Sequence, residues 1–586
     1  MAEEEDKEEF VESMRKQPAT SVVFHSFEQV LKVVGAFGCY QVGFVLCMQL
    51  CLVVWCGSYI FMSYSTYSGK LTCLMEENRS ILYDSQHQEH FCSVYKNGSC
   101  ARLQWETPFK TIIEEWHLIC DLDYVPQMIN SVQNAGNMIS VLVGGVLADL
   151  IGRKSVFCGS FALLLAVSAA DTLAPSWQLL AACRLVAGTC LVASSSSLFV
   201  WGMELTDQHH NLLVNLGTLW HFAYLAIALL GYLTAHWKTY LLVLTGIGGP
   251  ALICFILFME SPRWLIQQGD LKGAALLLTR MANQNRPLHR VRISEENLAG
   301  IPSTANSSSS SSLNSAAKDG SSASDTKKSW LQQFRALFSS RRLTLYTFIL
   351  CVQFIATSSA ANVFIFQVTQ YHGSPFVKFA IYGLLRMWVP VLLYYLDRRF
   401  PGFGRRHMLA VPMLLVSLCY CAASLDTLVW STVKASSFTM AACLTGAIIC
   451  NCLWVALGQY TIEIYPTMVR TTAGSAFSIV DSLVGIAVPQ LIYLEQHWWL
   501  PLPFIYAASF SLLAFILCLM FLPETKGREL PDTVEEFEQQ AKASVGWIPV
   551  PRVSLRDASC CSGDDETETL LMEEEGLAAK HRRVSK

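Results

Sequence analysis

Charge is scarce in this sequence. Asp, Glu, Lys and Arg make up 15% of the residues, where soluble domains carry about 25%. With 52% of the chain hydrophobic, too few charges are left to coat a water-soluble globule. Chemical signatures are missing as well. There is no phosphate-cradling GxxxxGK[ST] loop, no HExxH zinc pair and no series of CxxC pairs. His209 and His210 are adjacent but have no partner ligands, so no metal site is expected. The glycines of "LTGIGGPAL" lie inside an apolar run and read as packing positions. No basic and aromatic interleaving marks a nucleic-acid surface. These absences point away from an enzyme. The N-terminus, "MAEEEDKEEF", is acidic, whereas a secretory signal begins basic. The first apolar run is therefore expected to stay as an anchor.

What is present is a series of long apolar runs. A spanning helix needs about 20 such residues. Twelve runs qualify: 37–62, 125–148, 155–175, 177–203, 211–235, 239–259, 344–368, 375–396, 408–428, 436–460, 471–494 and 501–522. The fold class predicted is an all-α membrane protein. Residues 1–36 are an N-terminal segment, with a short amphipathic helix over 24–36. Residues 37–259 form a first six-span bundle, 260–343 a central loop, 344–522 a second bundle and 523–586 a tail.

Two connections are long. Residues 63–124 carry the glycosylation patterns "NRS" at Asn78 and "NGS" at Asn97. They also hold Cys73, Cys92, Cys100 and Cys120. Four cysteines in one outer loop suggest two disulfides, with three connectivities open. The central loop holds twelve Lys or Arg and the run "SSSSSS" at 307–312, a flexible linker by composition.

Basic residues in short loops set orientation. Arg153 and Lys154 follow the second span; Arg398, Arg399, Arg405 and Arg406 follow the eighth. Both termini and the central loop are expected in the cytosol, with the glycosylated loop outside. Landmarks then repeat. Asp149 and Asp397 lie 248 residues apart, Glu204 and Glu463 259, and Glu260 and Glu524 264. Near-constant offsets imply two related bundles, with a substrate site between them near the midplane.

"ADLIGRK" after the second span, Arg184 and Gly188 in the fourth, "ESPRWL" after the sixth and "PET" after the twelfth resemble the major facilitator superfamily. "SFEQVLKVVGAFGCYQ", "EEWHLICD" and "EIYPTMVR" resemble its organic cation, anion and zwitterion transporters, the solute carrier family 22 type. The resemblance spans roughly 25–530. It implies a twelve-helix secondary transporter of small organic ions in the plasma membrane, with no cofactor. Its partners are the substrate and the lipid bilayer.

The resemblance also implies a cytosolic latch of the outward-open state, formed by Asp149, Arg153, Glu204, Asp397, Glu463 and Arg470. Asp149 is expected to meet basic groups of the facing bundle. Arg184 fits a coupling position of the superfamily in span four and is grouped with this machinery. The second copy departs from the pattern, because "RFPGF" lengthens the step from Asp397 to Arg405 to eight residues, against four from Asp149 to Arg153.

A charge at a helix centre costs roughly 2.5–3.5 kcal/mol on insertion scales, so it faces a cavity or a partner. Arg184, Arg386 and Asp481 lie deep; Asp171 sits near a span end. Cation-carrying relatives have a substrate-neutralising aspartate in span eleven, and Asp481 falls one position from it. Arg386 stands near where those relatives carry a glutamate, and Val192 where many carry a base. Arg386 and Asp481 can bind an ion or pair with each other. Counting from the motifs places Tyr59, Phe354 and Trp220 on cavity-lining aromatic positions, with Trp454 a weaker candidate. Ala361 replaces a further aromatic.

Two other readings stay open. A sugar carrier shares "ESPRWL" and "PETKG", but span seven lacks the glutamine pair and asparagine expected for sugar hydroxyls. A receptor or sorting protein of the same fold fits the acidic dileucine pattern "ETETLL" at 566–571, which would engage a sorting adaptor and place the chain in endosomal or vesicle membranes.

Overall fold

The computed structural model describes residues 23–24, 26–35, 38–67, 70–74, 80–82, 88–100, 102–107, 109–206, 220–285, 292–301, 334–335, 337–369, 373–400, 403–429, 437–526 and 537. Asn78, the serine run and the dileucine pattern lie outside them. Eleven described helices are long and apolar enough to cross a membrane. The fifth expected span is described only from Trp220 to Thr234, a shorter apolar helix.

In the first bundle the helices are α1 (Phe27–Val34), α2 (Cys39–Ser65), α3 (Gln88–Lys96), α4 (Ile112–Trp116), α5 (Val125–Ile151), α6 (Arg153–Asp171), α7 (Trp177–Glu204), α8 (Trp220–Thr234) and α9 (Trp237–Leu257). The central loop contributes α10 (Pro262–Gln267), α11 (Leu271–Asn285) and α12 (Glu295–Leu298). The second bundle has α13 (Arg341–Gln367), α14 (Pro375–Arg386), α15 (Trp388–Arg399), α16 (Arg405–Val429), α17 (Ser437–Ile464), α18 (Thr467–His497) and α19 (Leu502–Phe521).

The central loop is therefore more than linker. The amphipathic α1 buries Val30, Leu31 and Val34 and packs on α11. Asn285 of α11 accepts from the Tyr40 N–H (3.0 Å) and donates to Gln41 (3.0 Å). A Cβ at Gly38 would stand 2.3 Å from the Asn285 side chain, so only glycine admits this approach.

The loop after α2 folds as a small antiparallel sheet of β1 (Lys70–Leu74), β2 (Ser80–Leu82) and β3 (Arg102–Glu106), in the order β2-β1-β3. Two disulfides, Cys73–Cys100 and Cys92–Cys120, select one of the three open connectivities. Asn97 is exposed here. The segment docks on α9 through Glu115, which accepts from Trp237 (2.7 Å) and Lys238 (2.5 Å). His236 caps α9, its Nδ1 accepting from the Lys238 N–H (3.1 Å). Burial first, then Lys110, holds its pKa below the ordinary histidine range, which favours the neutral acceptor form.

The disulfide-bonded segment marks a loop face; the Arg153 and Arg405 turns mark the opposite, basic face. The bundles meet where α5 packs on α18 and α8 on α14. Ser131 donates to the Ile486 carbonyl (2.8 Å) and Gln490 to Ser131 (2.9 Å). Asp123 and His497 approach to 3.1 Å at the loop-face ends of these helices. A Cβ at Gly485 would lie 2.6 Å from Asn134, so this glycine lets the bundles close together. The bundles are shut against each other on the loop face.

Candidate functional site

Between the bundles lies a cavity of about 1630 Å³. Its lining reaches from mid-depth, at Asp481 and Arg386, to Asp149, Arg153, Glu204, Asp397 and Arg405 on the basic face. It opens on that face.

Arg386 ends α14, where the span-eight helix breaks at Met387. Pro390 explains the break, since a proline ring clashes with the carbonyl four residues back, here that of Arg386 itself. The guanidinium donates to Asn451 (2.7 Å) and Tyr382 (2.8 Å) and lies 5.3 Å from the ring centres of both Tyr224 and Tyr382. Asp481 accepts from Ser358 at 2.5 Å. Asn362 in turn donates to Ser358 (3.1 Å), and Tyr59 of the other bundle donates to Asn362 (2.6 Å).

Arg386 and Asp481 share the cavity but do not pair. Each is held by neutral partners, and neither has an ion-pair partner among the described residues. Of the two alternatives, binding an ion or pairing with each other, the internal pair is not formed. Partners of the two charges come from neighbouring stretches of α17 and α13. Asn451, which holds Arg386, follows Cys450, whose thiol meets the Thr357 carbonyl (3.1 Å), next to Ser358, which holds Asp481.

Of the expected aromatics, Tyr59, Trp220 and Trp454 line the cavity, Trp220 stacking on Phe199. Phe354 does not. It stacks on Phe477 at 4.7 Å and meets Trp454 edge-on, one layer behind the wall. Counting from a motif fixes depth along a helix but not which neighbour the ring prefers. Ala361 lines the cavity and leaves it wider there. The residues missed in the sequence are Tyr382, Asn451, Ser358 and Asn362. Their signal was helical spacing, since Tyr382 stands four residues before Arg386 and Ser358 four before Asn362.

Arg184 belongs elsewhere. It is fully buried, ion-paired to Asp171, with its guanidinium 4.8 Å from the Phe61 ring centre. Twenty residues of helix, about 30 Å, separate it from Glu204, so it takes no part in the basic-face clusters. Asp171 sits at a helix end, as expected, yet is fully buried by neighbouring helices.

On the basic face the two halves repeat one arrangement. Arg153 bridges Asp149 (2.9 Å) and Glu204 (3.2 Å); Arg405 bridges Asp397 (3.2 Å) and Glu463 (3.0 Å). Glu260 accepts from the Lys154 N–H (2.8 Å) and Glu524 from the Arg405 N–H (2.7 Å), each carboxylate capping a helix N-terminus. Lys526 adds a contact to Asp397 (2.7 Å). The "RFPGF" insertion does not disturb this geometry. Asp149 meets Arg153 of its own bundle rather than a base of the facing one. Arg470 donates to the Tyr465 carbonyl (3.2 Å).

This duplicated geometry around a central cavity has known counterparts. The profile of the family described as "Sugar (and other) transporter" matches residues 50–537. The chain belongs to that family. Among curated relatives it is 26% identical over 450 residues to cattle (Bos taurus) solute carrier family 22 member 7, covering 76% of this chain and 77% of that one. It is 25% identical over 442 residues to human organic cation/carnitine transporter 2, covering 73% and 71%. The inward-open structure of the xylose transporter XylE from E. coli superposes with a TM-score of 0.53 at 14% identity, covering 84% of this chain and 99% of that one. That likeness extends to the fold, which is the major facilitator fold. This member of the sugar (and other) transporter family is a multi-pass membrane protein.

Proposed function

We propose that this protein is a secondary transporter of small organic ions, working by alternating access at the central cavity. The similarity to organic ion carriers of solute carrier family 22 supports the class. The observation that carries the site is the pair of opposite charges, Arg386 and Asp481, sharing one cavity without neutralising each other. A sugar needs neither charge, and burying both without use is costly.

The geometry best supports a substrate bearing both charges. A carboxylate matches Arg386, and an ammonium matches Asp481, with Trp220 offering a ring face to a cation. Carnitine, named in one relative, carries a quaternary ammonium and a carboxylate. Excess Arg and Lys on the basic face supports a cytosolic position for that face and for both termini. The disulfide-bonded segment, with Asn97 available for glycosylation, then faces outward at the plasma membrane. In this orientation the cavity is open to the cytosol. The clusters around Arg153 and Arg405 would approach each other and latch the cytosolic side in the opposite state.

Uptake in cells tests the reading with a labelled trimethylammonium carboxylate, its methyl ester and the carboxylate lacking the ammonium. The expected order places the doubly charged probe first. Equal uptake of the ester would overturn the two-charge site; no uptake of any organic ion, with normal surface expression, would overturn transport itself.

A further inference from the structure

The hydrogen bonds around Asp481 form a directional chain. Tyr59 donates to Asn362 (2.6 Å), Asn362 to Ser358 (3.1 Å) and Ser358 to Asp481 (2.5 Å). Every donated proton points toward the carboxylate. Chained hydrogen bonds polarise one another, so the charge on Asp481 strengthens the bonds behind it. The chain also climbs. Asp481 is near the middle of α18, while Asn362 and Tyr59 lie five and six residues from the loop-face ends of α13 and α2. Its last bond crosses from the second bundle to the first. The loop-face contacts between the bundles are Ser131 with Ile486 and Gln490 with Ser131.

We propose that Ser358, Asn362 and Tyr59 are coupling residues that report occupancy of Asp481 to the contact between the bundles. A substrate cation at Asp481 competes for the carboxylate. Ser358 then loses its acceptor, Asn362 is no longer held in register, and the Tyr59 bond across the bundles weakens. The empty carrier keeps its outer side shut, and the occupied one is released to rock. This rests on the transporter reading. No atom of the chain changes covalently, and each residue acts through the next, so these are positioning residues.

Tyr59→Phe removes only the hydroxyl and keeps the ring, which makes it the central variant. The reporter is Ile486→Cys, which retains the backbone carbonyl that Ser131 uses. It is labelled from outside with a membrane-impermeant thiol reagent, and the chain without this cysteine serves as the blank. The probe is the trimethylammonium carboxylate. In the parent, probe is expected to raise labelling. In Tyr59→Phe, labelling without probe should rise about fivefold, the shift of one neutral hydrogen bond, and the probe should add nothing further. Probe binding to purified protein should stay within about twofold of the parent. Ser358→Ala should behave as Tyr59→Phe, and Ser358→Thr, which restores a donor, as the parent. Parent-like labelling in Tyr59→Phe overturns the proposal. So does a loss of probe binding in that variant, which would make Tyr59 a simple substrate contact. A parent that transports no organic ion would instead remove the underlying transport reading.

Discussion

Two deep arginines in this molecule have opposite company. Arg184, in the first bundle, is paired with Asp171, covered by Phe61 and sealed from the cavity. Arg386, in the second, is held by Asn451 and Tyr382 and opens to the cavity. A charge neutralised by the protein is spent on structure. A charge held only by neutral groups keeps its field available to something else, at the cost of a less stable empty site.

The largest expected effect comes from splitting the sealed pair. Asp171→Ala leaves a bare guanidinium in the core and should cost about 3–5 kcal/mol, read as loss of monodisperse protein or a much lower Tm. Replacing both partners with leucine should recover much of it. A single variant as stable as the parent would break the contrast.

Next come the open charges. Arg386→Gln and Asp481→Asn should fold with near-parental Tm and lower uptake about tenfold or more, the scale of one charge-assisted hydrogen bond. A collapse in Tm for either would make that residue structural, like Arg184.

A smaller effect is expected on the basic face. Arg153→Gln and Arg405→Gln each break a two-acid bridge of the same geometry. Each should shift the ratio of uptake to efflux several-fold. A change for Arg153 alone would mean that the stretched second copy has the shape but not the role.

The smallest separates lining from backing aromatics. Trp220→Leu should raise KM about threefold, within the range of an exposed cation–π contact, while Phe354→Leu should leave KM unchanged. The reverse result would put Phe354 back in the site.

Much of the fold was legible because a lipid environment forces simple patterns. The apolar runs predicted eleven of the described spanning helices to within a few residues. The Asp149 and Asp397 landmarks anticipated duplicated clusters, since an arginine following glycine at a turn can bridge an acid at the end of the preceding helix and another at the end of a neighbouring one. The site was less legible. Asp481 and Arg386 stood out because charge is rare in a span. Ser358, Asn362 and Asn451 did not, because neutral polar residues are common there and cost little. Phe354 was misplaced and Arg184 grouped with the wrong end of its helix, because motif counting gives depth but not facing.

By itself, the sequence determined which runs are long and apolar enough to cross a bilayer, where the basic turns fall and which charges lie deep. Those follow from the cost of placing each residue in hydrocarbon, a property of one residue in one helix. Only the tertiary structure decided which acid each arginine meets, that Arg386 and Asp481 stay apart, and that a hydroxyl on one bundle is tied to a carboxylate on the other. Partner choice depends on which helix faces which, and that is set by the packing of all the helices at once.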